Sequence, residues 1–448
     1  IKHLVEVCEP DFGLITTVGK AHLLGFGSFE GVKRAKGQLY DFIAERGGEI
    51  FVNVDDADIL IINTCGFIND SKKESIDTIL EYIDSGKKLV VTGCLAQRYL
   101  EDLKRELPEV DLFIPIRDYY RFNELLSTLD EELSDTSGLD EHYRMISTGT
   151  YSAYLRIGEG CSNHCSYCAI PLIRGEYRSR SYSSIIEEAK TLASIGIKEI
   201  IILEQDTTKW GIDLGDKYDI TYLLKGLLQI KEFVFIRLLY LYPDEISDEL
   251  IDLIANEPRL TPYFDIPIQH SEDHILKAMN RRGSKDELKT LFSKIRNRVP
   301  HSIIRTTLLV GFPGEKEEDV DNLIAFMNEI NFDHLGCFAY SKEEDTPSAS
   351  YPNQIDEEIK INRKNRVMKA QQALSYRANK KHLNEVMEGI VIGKENNRYL
   401  LRSYWNAPDD IDGKIYFTSE RKLVAGDIVK VKINETFVYD LFGEIQNK

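Results

Sequence analysis

Three cysteines stand within eight residues of one another near the middle of the chain. Cys161, Cys165 and Cys168 have the spacing C-x3-C-x2-C. Thiolates are soft ligands, and this ligand type suits iron–sulfur clusters. A structural zinc site instead needs four ligands, and His164, the available fourth, lies inside a loop too short to fold back easily. The triplet therefore predicts a [4Fe–4S] cluster held by three cysteines.

A cubane with three thiolate ligands leaves its fourth iron open. That iron can chelate the amino and carboxylate groups of S-adenosylmethionine (SAM), and an electron from the reduced cluster can then break a C–S bond and yield a 5′-deoxyadenosyl radical. Tyr167 precedes the last cysteine, where an aromatic residue usually stands in the radical SAM pattern. The predicted cofactors are the cluster and SAM, and a reducing electron donor is a predicted partner.

An α/β domain surrounds the triplet. Apolar runs typical of strands alternate with helical patterns over residues 147–375, and six such strands with helical crossovers predict an open (β/α)6 barrel. A full eight-stranded barrel is the rival, but two further strands cannot be found. The strand candidates are 153–158, 199–203, 233–240, 264–268, 303–310 and 335–340.

Polar and glycine-rich runs follow several of these strands. Barrel active sites lie at the carboxyl ends of the strands, so we expect SAM there. Each run alone has a simpler interpretation, since "GFPGE" (311–315) is most often only a tight turn. The candidates for SAM binding, besides the cluster ligands, are Tyr167, Gln205, Asp206, Arg305 and Gly311.

Two smaller domains are predicted on either side of the barrel. The first covers residues 58–140, of which 58–115 alternate strand and helix and so indicate a parallel sheet, and a polar linker covers 127–149. Residues 380–448 contain short strands separated by Gly, Asn and Asp turns, which predict a small antiparallel β-barrel of OB-like type. Cys65 and Cys94 end successive strands of the first domain, and each is as typical of a buried structural cysteine as of a ligand.

The composition excludes several classes of protein. The formal net charge of −18 disfavours a duplex nucleic-acid binder and favours a basic partner. No apolar run reaches the roughly 18 residues that a membrane span needs, and no signal peptide is recognisable. Seven cysteines, an odd number, disfavour a disulfide framework. A cytoplasmic protein that does not bind a membrane is expected.

From about residue 58 to its end, the chain resembles the methylthiotransferase family of radical SAM enzymes. The resemblance implies a terminal TRAM domain and, within the family, the branch that methylthiolates an aspartate of small-subunit ribosomal protein twelve. The tRNA-modifying MiaB branch is the alternative, but nucleic acid is an expected partner only within the ribosome. The runs that carry the resemblance are "NTCGFINDSKKES" (63–75), "EGCSNHCSYCAIPLIRGEYRSRS" (159–181), "QDTTKWGID" (205–213), "FDIPIQHSEDHILKAMNRRG" (264–283), "LLVGFPGE" (308–315) and "NAPDDIDGKIYF" (406–417).

The family resemblance also implies a second cluster in the first domain, held by three cysteines. Cys65 and Cys94 match two of them, and the third is missing, because residues 1–57 instead resemble a fragment of a MurF-type Mur ligase. Cys8 lies in that fragment and is not expected to replace the missing ligand. The sequence therefore also allows a chimera that cleaves SAM but lacks full methylthiotransferase activity.

Overall fold

The computed structural model describes residues 57–129, 146, 149–409 and 411–446. The chain divides into two compact units, residues 1–145 with 172–174 and residues 146–171 with 175–448. Almost all of the segment resembling a Mur ligase, including Cys8, and most of the predicted linker lie outside the described residues. Within the described ranges, no helix is both long and apolar enough to cross a membrane.

The first unit contains a three-stranded parallel sheet in the order β1-β2-β3. Leu89 and Val91 of the central strand are buried together with Ile79 and Leu103 of the flanking helices, so the predicted apolar runs form the core of this unit. The sheet confirms the predicted parallel arrangement. The elements are β1 (Ile59–Thr64), α1 (Asn69–Tyr82), β2 (Lys88–Gly93), α2 (Cys94–Arg98), α3 (Leu100–Glu106), β3 (Leu112–Pro115) and α4 (Phe122–Leu126).

The second unit begins with six parallel strands in chain order. They form two three-stranded sheets, and a parallel bridge between Ile236 and Leu260 links the two. The predicted open (β/α)6 barrel is therefore confirmed. The barrel strands are β4 (Ser152–Arg156), β7 (Glu199–Leu203), β8 (Phe235–Leu238), β9 (Tyr263–Asp265), β10 (Ile303–Val310) and β11 (His334–Ala339), and a short antiparallel pair, β5 (Gly158–Glu159) and β6 (Arg178–Ser179), follows β4.

Helices cover the outer face of these strands. Four of them start at a Ser or Asp whose side chain accepts a hydrogen bond from a backbone N–H of the first turn, a strong local start signal: Ser181, Asp219, Ser247 and Ser284. A short helix, α5 (Ile170–Arg174), precedes them in the chain. The barrel helices are α6 (Tyr182–Ser194), α7 (Ile220–Leu227), α8 (Asp248–Asn256), α9 (Asp273–Ala278), α10 (Lys285–Arg298), α11 (Glu317–Ile330) and α12 (Glu357–Lys380).

The chain ends in a closed five-stranded barrel with the order β12-β13-β14-β16-β15. Four pairings are antiparallel, but β14 and β16 run parallel. A closed ring of five strands cannot alternate direction at every pairing, because an odd number leaves one neighbouring pair pointing the same way. The predicted small β-barrel is confirmed with this one difference. Its strands are β12 (Val386–Glu395), β13 (Arg398–Ser403), β14 (Ile415–Thr418), β15 (Ile428–Thr436) and β16 (Leu441–Ile445).

Candidate functional site

The three cysteines lie in one loop, residues 160–169, at the carboxyl end of the first barrel strand. This cysteine loop is held from several sides. The Ser166 N–H donates to Met279 O at 2.9 Å, its hydroxyl donates to Ala278 O at 2.8 Å, and its carbonyl accepts from Ser348 N at 2.9 Å. Ser166 is almost completely buried. The loop is therefore fixed to two other parts of the barrel before any ligand binds.

The three thiols share one electrostatic neighbourhood. Burial raises the pKa of the Cys161 thiol and raises the pKa of Cys168 to about 12. Cys165 further raises the pKa of Cys161, and both Cys165 and Cys161 further raise the pKa of Cys168. Two N–H groups point at sulfur: Ile170 N lies 3.5 Å from Cys168 Sγ, and Arg281 Nη1 lies 3.7 Å from Cys165 Sγ. Both donors would stabilise negative charge on the sulfurs.

This donor set fits an iron–sulfur cluster better than a single metal ion. All three cysteines are free of disulfides. Within the part of the chain that the structure describes, no group of three or more His, Cys, Asp or Glu side chains is placed to hold one ion. One zinc ion would need every sulfur about 2.3 Å away, whereas a cubane binds each thiolate at a different iron. Three free thiols in one loop therefore suit a cluster.

Gln205 and Asp206 follow β7 and contact the cysteine loop. Gln205 Oε1 accepts the Gly160 N–H at 2.9 Å. Asp206 is completely buried, accepts a hydrogen bond from Asn163 Nδ2 at 2.7 Å, and pairs with Lys209 Nζ at 3.5 Å. Both side chains therefore hold the backbone and side chains of the loop. Their predicted contact with SAM stays a prediction.

Gly311 ends β10 at the carboxyl rim, as the sequence predicts. Its φ is +76°, and a Cβ there would lie 2.4 Å from Lys360 Cγ, so only glycine fits. The Gly311 N–H donates to both carboxylate oxygens of Glu315 at 2.9 Å, and Arg363 Nη1 donates to the same carboxylate at 2.9 Å. These contacts hold the turn in place at the expected end of the barrel.

Arg305 lies deeper in the barrel than this rim, and its predicted contact with SAM stays a prediction. Arg305 is the third residue of β10 and is in register with Asp265 of β9 and His334, the first residue of β11. At about 3.3 Å per residue it lies roughly 20 Å along the strand from Gly311. The bounds of this strand can be predicted from its apolar run, but the depth of a residue in the barrel depends on the register with the neighbouring strands. Arg305 lies inside the barrel, where its Nη1 donates to Asp265 Oδ1 at 2.9 Å.

Arg281 is a site residue that the sequence analysis missed. Its Nη1 donates to Cys165 Sγ and, at 3.4 Å, to the Tyr167 hydroxyl, while its Nη2 donates to Pro267 O at 2.6 Å. Its guanidinium stacks on Tyr242 at 4.4 Å from the ring centroid. The adjacent arginines Arg281 and Arg282, in the run 264–283, are the sequence feature that could have pointed to it. Tyr167, which is predicted to bind SAM, is itself a residue of the cysteine loop, and Arg281 holds its hydroxyl.

Cys65 and Cys94 lie close together in the first unit. They follow Thr64 and Gly93, which are partners in the parallel register of β1 and β2. A Cβ at Gly66 would lie 3.0 Å from the carbonyl carbon of Cys94, so the two loops touch at the backbone. Cys65 is exposed and Cys94 half-buried. The structure thus brings these two predicted ligands together, and their role as ligands stays a prediction.

Family models match three parts of the chain. They describe the uncharacterized protein family UPF0004 (residues 34–115), the radical SAM superfamily (155–327) and the TRAM domain (385–445). The first match reaches back into the segment that resembles a Mur ligase. The radical SAM match implies a [4Fe–4S] cluster and SAM as cofactors.

A solved structure shares the fold. TsrM from Kitasatospora setae, a radical SAM methyltransferase with tryptophan and a SAM analogue bound, has a TM-score of 0.51 at 14% identity, covering 68% of this chain and 70% of that chain. At this identity the likeness shows the fold alone.

Curated relatives are similar over nearly the whole chain. The ribosomal protein uS12 methylthiotransferase RimO of Clostridioides difficile is 44% identical, covering 91% of this chain and 94% of the relative. The RimO of Caldicellulosiruptor saccharolyticus is 45% identical, covering 90% of this chain and 94% of the relative. The RimO of Clostridium tetani is 46% identical, covering 87% of this chain and 90% of the relative. The similarity spans all three predicted domains. The chain belongs to the RimO family of radical SAM methylthiotransferases.

Proposed function

We propose that this chain adds a methylthio group to an aspartate of ribosomal protein uS12, with SAM bound at a [4Fe–4S] cluster on Cys161, Cys165 and Cys168. The main support for a cluster at this position is that three free thiols lie in one anchored loop at the carboxyl end of the barrel. N–H groups are directed at two of their sulfurs. The relatives, whose name states the uS12 substrate, support the target. They give no support to the alternative of a tRNA substrate.

The residues around the loop have positioning roles. A cluster held by the three cysteines would supply the electron for reductive cleavage of SAM, and a cellular reductant would have to deliver that electron. Gln205 and Asp206 hold the loop through Gly160 and Asn163. The Gly311 turn, which Glu315 and Arg363 hold in place at the carboxyl rim, would border the SAM site. The Tyr167 ring packs beside the thiols in the same apolar layer as Phe312.

We further propose that Cys65 and Cys94 are two ligands of a second cluster, which would provide the sulfur. Their adjacency at the ends of β1 and β2 supports this role. The chain has seven cysteines. Three form the triplet, two are Cys65 and Cys94, and Cys337 lies in β11, so Cys8 is the remaining cysteine that could serve as the third ligand. Since residues 1–57 resemble a Mur ligase, the second candidate function is SAM cleavage with little or no transfer.

Anaerobic reconstitution with iron and sulfide tests both candidates. With SAM and a strong reductant, the protein should form 5′-deoxyadenosine, and mass spectrometry of uS12 should show one added methylthio group. Cys165→Ala should abolish both products. Cys337→Ala, which changes a buried cysteine outside the loop, is the matched control and should retain both.

Three outcomes separate the proposals. Normal 5′-deoxyadenosine yield from Cys165→Ala would overturn the assignment of the cluster ligands. 5′-Deoxyadenosine without modified uS12 would support the second candidate. Modification of tRNA in place of uS12 would overturn the substrate.

A further inference from the structure

The interior of the barrel in the second unit contains an open chamber. On β10, Ile304 and Leu308 pack into the core beneath the helices, so Arg305 and Thr307, which alternate with them, face the inside. By the same alternation, Cys337 faces the core and Phe338 faces inward. Although it faces into the barrel, Phe338 is 57% exposed. Space therefore remains between the strands.

The terminal β-barrel closes one end of this interior. The inward-facing residues Tyr263 and Ile303 form one apolar cluster with Trp405 and Met387 of the terminal barrel. Asp412 reaches into the same region, where it accepts a hydrogen bond from the Tyr263 hydroxyl at 2.7 Å. A ligand therefore cannot enter the chamber from this end.

Arg305 is held rigidly just above that closure. Asp265 fixes Nη1 from one side at 2.9 Å, and Asp412 lies 3.6 Å from Nε on the other. Both carboxylates have further partners: Asp265 Oδ2 accepts the Tyr240 N–H at 3.1 Å, and Asp412 Oδ2 accepts the Ala407 N–H at 2.8 Å. These contacts hold the two carboxylates in place, and the two carboxylates set the orientation of the guanidinium.

One edge of the Arg305 guanidinium remains available. Among the described residues, its Nη2 forms no hydrogen bond, and the Arg305 side chain is 13% exposed. The residue beside it is Gly336, where an added Cβ would lie 3.7 Å from Nη2. Any longer side chain at that position would fill the space. The surrounding walls are exposed aromatic rings, Phe338 and Tyr240, which is 45% exposed.

A fixed guanidinium with free N–H groups in a partly desolvated pocket selects carboxylates, because it can donate charge-assisted hydrogen bonds to them. The geometry points to Arg305 as the group that binds the side-chain carboxylate of the target aspartate, with Gly336 leaving room for it. This inference rests on the proposed function, in which the modified carbon is adjacent to that carboxylate. Arg305 would then select aspartate over uncharged residues and set the depth to which the substrate loop enters.

Binding of two peptides to the reconstituted protein with SAM tests this role. One peptide carries the uS12 segment around the target aspartate, and the other has Asn in place of that Asp. Calorimetry should show the unchanged protein preferring the Asp peptide by about 10- to 100-fold, the range for one charge-assisted contact. In Arg305→Met the preference should fall to nearly one, mainly through weaker binding of the Asp peptide.

A second variant covers the case in which Arg305→Met does not fold. Gly336→Leu leaves Arg305 and its carboxylate partners in place but fills the space beside Nη2, and it should weaken binding of the Asp peptide by at least about tenfold. Lys225→Met removes an exposed cation paired with Glu249 and is the control that should keep the preference.

The outcomes also separate this inference from the proposed function. If the unchanged protein modifies uS12 but Arg305→Met and Gly336→Leu keep the full preference for the Asp peptide, Arg305 does not bind the carboxylate and the inference is overturned. If the unchanged protein neither binds nor modifies uS12, the proposed function itself has failed.

Discussion

Arg281 should raise the reduction potential of the cluster proposed on the cysteine loop. Its guanidinium is almost fully buried, and Nη1 lies 3.7 Å from Cys165 Sγ. Hydrogen bonds to cluster sulfurs and nearby charge are among the factors that set such potentials. Arg281→Met keeps most of the side-chain volume and removes both the N–H donor and the charge.

The size of the effect follows from Coulomb's law. At an effective dielectric constant of about 20, two unit charges about 4 Å apart attract by about 4 kcal/mol. The electron added on reduction is shared over the whole cluster, so its mean distance is roughly doubled and the attraction is about 2 kcal/mol. For a one-electron couple about 59 mV corresponds to a tenfold change in equilibrium constant, so Arg281→Met should lower the midpoint potential by roughly 80 mV.

A redox titration followed by electron paramagnetic resonance measures this shift. Cys65 and Cys94 are first changed to Ala, so that only the cluster on the triplet contributes to the signal. Arg281→Lys keeps the charge and should restore most of the potential. Arg282→Met is the matched control, since Arg282 is half exposed and paired with Asp244 and Glu245.

A midpoint potential in Arg281→Met within about 20 mV of the unchanged protein would refute the electrostatic reasoning. An equal fall in Arg282→Met would refute it as well, because the effect would then not depend on the contact with Cys165.

Three further predictions follow from the fold and the composition. Arg237→Met breaks the buried ion pair with Glu199 and should lower the free energy of unfolding by about 3 kcal/mol. This is the lower end of the range for such a pair, because Arg402 remains 3.8 Å from the fully buried Glu199. Urea denaturation measures the loss, and an unchanged midpoint would contradict the prediction. Binding to uS12 should weaken as salt rises, because the net charge of −18 favours a basic partner; a dissociation constant independent of salt would be inconsistent with this. Reconstituted protein should bind about eight iron atoms per chain if Cys65 and Cys94 hold the proposed second cluster, and about four if only the triplet holds one. Cys8→Ala should not change that number, whereas a fall in iron content in that variant would show that Cys8 is a ligand.

Much of the fold could be predicted because its signals are local. The strands Glu199–Leu203 and Ile303–Val310 were predicted with their observed bounds, since an apolar run bounded by polar turns contains the information itself. Strand ends that depend on neighbours were less accurate, and β8 covers only Phe235–Leu238 of the predicted 233–240. The parallel pairing of β14 with β16 depends on how the barrel closes, which no single strand encodes.

The sequence by itself determined the chemistry of the candidate site, because the three cysteines lie within one loop and their spacing is a local property. Only the tertiary structure decided what surrounds that loop. Arg281 reaches Cys165 across 116 positions of the chain, and the depth of Arg305 is set by its register with Asp265 and His334. Such contacts arise from the packing of distant strands, and residue type and spacing along the chain carry no direct record of them.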